Sequence, residues 1–126
     1  MDDDELLERF AANTLPAFPH EEHLRVVFAK SAHAGVEQTI TFLRDGIQSW
    51  AIAADMVGAY HETRTVAWVR RVVAARADFT GTFDEFLDLH PELRRRDLLD
   101  EHYSPELLNS PAAREGFVEP DRDPLP

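Results

Sequence analysis

From residue 36 to residue 55 the apolar side chains return at every third or fourth position: Val36, Ile40, Leu43, Ile47, Trp50, Ala51 and Ala54. A stripe of that period can be buried as a unit only if the segment is an α-helix. Nowhere in the chain does a stretch alternate apolar and polar residues long enough to make a half-buried strand. A long helix with one apolar face needs other helices to cover it, which commits the chain to helix-on-helix packing. Gly46 interrupts this best-defined helix, at a cost of roughly 1 kcal/mol relative to alanine. A glycine there points to a close helix crossing or a kink.

The remaining elements follow from the same period and from capping residues. Residues 2–12 predict a first helix, with Leu6, Leu7, Phe10 and Ala11 on one face and acidic residues in the first turn, where the helix dipole favours them. Asn13 and Pro16 end it, and the Leu15–Pro19 connector with its two prolines is stiff. A second helix opens at His20 and runs to about residue 34, with Leu24, Val27, Phe28 and Ser31 in register, and Gly35 separates it from the third. A fourth runs over residues 61–77, its apolar positions paired as Thr65/Val66, Trp68/Val69 and Val72/Val73, a stripe wide enough to mean deep burial. After Gly81 short helices are expected: Thr82 caps 83–89, Pro91 restarts a turn reaching Leu99, and Ser104-Pro105 and Ser110-Pro111 each place a cap before a proline at the first helical position. Residues 118–126 read as an extended tail. The expected fold is all-α, one domain over residues 1–126, a bundle of four main helices with short C-terminal helices wrapped around it.

Composition narrows the function classes. A net charge of −11 leaves no basic excess to neutralise phosphates, which argues against nucleic acid and against an anionic membrane surface. All the basic residues but Lys30 are arginine, and there is no cysteine, which removes disulfides, thiolate metal sites and cysteine nucleophiles. The start, Met1-Asp2-Asp3-Asp4-Glu5, is the reverse of a basic signal-peptide opening, and no apolar run reaches the length of a membrane span. The expected location is cytoplasmic.

Two short polar signatures carry the chemistry: His20-Glu21-Glu22-His23 at the start of the second helix and Tyr60-His61-Glu62-Thr63 at the start of the fourth. His20 lies one turn before Leu24 and His23 one turn before Val27, so both border the buried stripe. His61 shares a face with Thr65, Trp68 and Val72, and Glu62 with Val66, Val69 and Val73. If these helix ends meet, His20, His23, His61 and Glu62 form a candidate site for one divalent ion, Zn, Fe, Mn or Ni, as in a metal-dependent oxygenase or hydrolase, or for a polar small molecule. The spelling is neither the Glu-x-x-His pair of di-iron bundles nor the His-Glu-x-x-His of zinc proteases, being one residue short of the latter. Without a metal, a His–Glu pair could act as an oriented general base. Each signature taken alone also reads as an ordinary polar first turn. A binding or accessory protein, meeting a partner through its acidic surface or its tail, is the alternative of a different class. Of the other polar residues, Arg94-Arg95-Arg96 among Glu92, Asp97 and Asp100 predicts a salt-bridged face, Arg114 is expected to hold the tail through Asp121, and His90 and His102 read as boundary residues.

Three blocks together, Phe18-x-His20-x-x-His23-Leu24-x-Val26, Tyr60-His61-Glu62-Thr63 with Trp68 downstream, and the C-terminal set Tyr103-Ser104, Leu107, Ser110, Ala113-Arg114, Phe117-Val118 and Pro120-Asp121, resemble a family of small uncharacterised bacterial helical proteins. The resemblance spans nearly the whole chain. It implies a compact stand-alone helical protein with His20, His23, His61 and Glu62 as its signature residues, and it implies no activity. Pro19 departs from the Ser or Thr cap expected before the first histidine of such a block.

Overall fold

A computed structural model describes all of residues 1–126, which form seven α-helices and no strand. Four carry the bundle: α1 (Asp3–Ala11), α2 (His20–Ser31), α3 (Val36–Ala53) and α4 (Glu62–Arg76). Helices α2, α3 and α4 pack on one another, and α1 lies against α2 and α3. Three short helices, α5 (Phe83–Leu89), α6 (Pro105–Leu108) and α7 (Pro111–Glu115), follow, with 3₁₀ turns at Pro91–Arg94 and Leu98–Glu101 between α5 and α6. No helix is long and apolar enough to cross a membrane.

The caps explain the boundaries. Asp2 accepts from Glu5 N at 2.8 Å and starts α1, and Thr82, Ser104 and Ser110 start α5, α6 and α7 by the same device. Helix α2 begins at His20 with Pro19 at its N-cap and no side-chain cap at all. Gly35 is also an N-cap, with φ −73°, an angle open to any residue. The left-handed positions are instead Asn13, Asp55 and Asp78, each just beyond a helix end, where a short polar side chain tolerates positive φ.

One core runs through the bundle, built on Leu6, Phe10, Leu24, Val27, Leu43, Val69 and Phe86. A smaller one joins Ala67 of α4 to Leu99, Tyr103, Leu108 and Leu125. The tail is therefore extended but not loose. Leu125 is buried in the second core, Asp123 N and Arg122 N donate to the carbonyls of Glu101 and His102, and His102 Nδ1 donates to Asp123 O at 2.8 Å. His102, read from the sequence as a boundary residue, is buried beneath it. Arg114 does not reach Asp121 as expected: it donates to the Gly58 carbonyl, while Asp121 accepts from Ser104 N (2.7 Å) and Ser104 Oγ (2.6 Å). A tail so used is part of the fold.

Gly46 marks a close crossing. A Cβ there would lie 2.1 Å from the ring of Phe10 on α1. That ring has little room to withdraw, because Phe18 and Phe42 flank it with centroids 5.0 and 5.4 Å away. Gly46→Ala should therefore lose about 1–3 kcal/mol to overpacking, outweighing the better helix propensity of alanine. Urea unfolding should show a lower midpoint at an unchanged slope.

Candidate functional site

The first turns of α2 and α4 open onto the same space. A cavity of about 420 Å³ lies between α2, α3 and α4, with His20, His23, Leu24 and Val27 on one side, Leu43 and Ile47 behind, and His61, Arg64, Thr65, Trp68 and Val69 opposite. Phe18, Pro19, Ala59, Tyr60 and Arg96 complete its rim. His20, His23 and His61 thus meet across one cavity. Glu62 does not join them.

The helix boundary accounts for the separation. His61 is the extended N-cap residue of α4 and Glu62 the first residue of the helix itself, and the two side chains are held by different partners. The Glu62 carboxylate takes both arms of Arg44 from α3, Nε to Oε1 at 3.0 Å and Nη2 to Oε2 at 2.6 Å, and Tyr60 Oη donates to Oε1 at 2.5 Å. A bidentate, charge-assisted pair of this kind is among the stronger polar contacts a protein makes. The Arg44 guanidinium accordingly holds the Glu62 carboxyl below the usual range, and burial together with Glu62 pushes the Tyr60 phenol up to about 12.

Each histidine has a defined hydrogen-bond state. His61 is the N-cap of α4: its Nδ1 accepts from Arg64 N at 3.1 Å, so its Nε2 carries the proton and donates to Leu108 O at 2.7 Å. Both ring nitrogens are engaged, and no lone pair is left for a metal ion. Burial, with Arg64 and Arg114 nearby, lowers its pKa against the effect of the Leu108 carbonyl. His20 Nε2 donates to Leu93 O at 2.9 Å, which leaves Nδ1 as its acceptor, and its ring meets Trp68 edge-on at 4.6 Å between centroids. His23 stacks on Phe18 at 3.8 Å. Burial first, then the neighbouring His20, lowers its pKa to about 4, against the bond it makes to the Phe18 carbonyl. His23 is neutral at physiological pH.

The four candidate ligands are consequently not assembled as one donor set, and no three His, Asp or Glu side chains are grouped so as to hold a metal ion. The residues absent from the sequence reading of the site are Arg64 and Arg96. Nothing in the sequence singled out Arg64 on the fourth helix, and Arg96 was expected in a salt-bridged face. In the structure Arg94 pairs with Glu21 and Asp88, and Arg95 with Asp97 and Glu101, but Arg96 faces the cavity without a carboxylate partner. The only available signal was the surplus of arginine over nearby acids in the triplet, which does not say which arginine is left over.

Two substitutions separate these roles. Neutral burial of His23 means that stability is fully present above its unfolded pKa near 6.5 and declines as pH falls toward 4, because the unfolded state takes up the proton first. His23→Phe should remove that decline, gaining on the order of 2–3 kcal/mol relative to wild type between pH 7.5 and pH 4 in urea titrations. Glu62→Gln should lower stability by about 1–3 kcal/mol by stranding Arg44, with no change in retained divalent metal by elemental analysis; a metal-ligand role would give the opposite pair of results. No protein-family model, no curated protein and no solved structure matches this chain.

Proposed function

We propose that this small helical protein binds one compact small molecule in the cavity between α2, α3 and α4. The observation that carries the reading is the convergence of His20, His23 and His61 with Trp68 on a single cavity of about 420 Å³, inside the size range of ligand sites and mostly apolar with a few placed polar groups. His61 is committed to the fold. His20 and His23 are the side chains that keep acceptor nitrogens for a ligand. With its pKa near 4, His23 is a poor proton acceptor at neutral pH, so the role assigned to it is hydrogen bonding to the ligand, not general-base catalysis. A divalent ion fits this reading as part of the ligand, with His20 Nδ1 and the free His23 nitrogen as protein donors and the rest of its coordination brought by the ligand itself.

The chain's six histidines provide the test. His20, His23 and His61 line the cavity, whereas His33, His90 and His102 lie outside it. Side-chain ¹H–¹⁵N correlation spectra recorded against a library of one- and two-ring fragments should show some compounds shifting His20, His23 and the Trp68 indole together, with His33, His90 and His102 unmoved. Fragments that move only residues outside the cavity, or none at all, would remove this reading in favour of a protein acting through its surface.

A further inference from the structure

We infer that the ligand of this cavity is a small organic anion, a carboxylate on an apolar or aromatic body, held by Arg64 and Arg96. The inference rests on the cavity being a ligand site and adds the class of ligand. It starts from a charge imbalance that runs against the whole chain. Acidic residues outnumber basic ones by 24 to 13, yet no aspartate or glutamate lines the cavity, and two arginines do. Neither Arg64 nor Arg96 has a carboxylate within ion-pair distance, although the neighbours of Arg96 in sequence, Arg94 and Arg95, each have two.

The acid two residues before Arg64 is withheld. Glu62 accepts from Tyr60, and its charge is compensated by both arms of Arg44. The carboxylates of α2 turn outward as well: Glu21 and Glu22 line a separate surface recess with Asp2, Asp3 and Asp4. Uncompensated guanidinium groups at a partly enclosed, largely apolar space form a recognition element for a planar carboxylate, which they can meet with paired N–H donors. Phe18, Trp68, Leu43 and Ile47 supply walls for an apolar body. His23, held uncharged by burial, adds no charge, so the fixed positive charge on the wall comes from the arginines.

The test uses three probes with one skeleton: phenylacetate, phenylacetamide and phenethylamine. A Trp50→Phe protein leaves Trp68, at the cavity wall, as the only tryptophan, and its fluorescence reports occupancy. Phenylacetate should bind at least tenfold more tightly than phenylacetamide, with phenethylamine weakest. Arg64→Gln and Arg96→Gln should each reduce that preference, and the double substitution should abolish it while phenylacetamide affinity stays within about twofold. Equal affinity for acid and amide would overturn the anion inference and leave the cavity as a ligand site. Trp68 fluorescence unmoved by all three probes up to millimolar concentration would overturn the inference together with the reading beneath it.

Discussion

The Arg44–Glu62 pair is the contact on which both the architecture and the character of the cavity depend. It joins α3 to the first turn of α4 in bidentate geometry, with the Tyr60 hydroxyl as a third donor. A half-buried carboxylate with fewer partners would carry a desolvation cost of several kcal/mol. With them it stays ionised and fixed, and the helix start is held in one orientation. That orientation decides where the next residues go. His61 closes on the Leu108 carbonyl, and Thr63 Oγ1 donates to Gly116 O at 2.9 Å and accepts from Val118 N at 3.2 Å. Arg64, next in line, is carried round to the cavity.

Four consecutive residues thus serve four directions: His61 toward α6, Glu62 toward α3, Thr63 toward the segment after α7, Arg64 toward the cavity. The Tyr60-His61-Glu62-Thr63 signature and the C-terminal block are partners in space. Within the C-terminal set Tyr103 Oη donates to Val118 O at 2.7 Å and Asp121 accepts from Ser104, and Val118 N in turn donates to Thr63 Oγ1, which fastens that set to the start of α4. The first block differs. It contributes His20, His23 and Phe18 to the cavity wall, and His20 also ties the start of α2 to the turn at Leu93.

Much of the fold was legible because its causes are local. The α3 stripe and the caps at Thr82, Ser104 and Ser110 each follow from residues within a few positions of one another, and Gly46 inside the stripe signalled a close crossing without naming Phe10 as its partner. The site was legible only in part. That His20, His23 and His61 border buried stripes could be read from helical period, and they do converge. Glu62 does not join them because Arg44 of α3 and Tyr60 hold its carboxylate, a pairing across eighteen residues that no local pattern encodes. Burial of His102 and capture of the tail depend on contacts across more than twenty residues, which no periodicity encodes. Arg64 and Arg96 were invisible for a related reason: an arginine is free or paired according to which acid the fold brings near it.

Net charge and local charge are therefore independent facts in this protein. A chain at −11 would be expected to repel anions, and at long range it does so weakly, since interactions beyond about 8–10 Å are screened at physiological salt. Inside a partly enclosed cavity the decisive charges are those within a few ångströms, in a medium less polar than water. There the acids are absent or neutralised, His23 is uncharged, and His61 has spent both nitrogens on the fold. The charge on the cavity wall is thus set by where the fold has placed its carboxylates, not by the −11 of the whole chain.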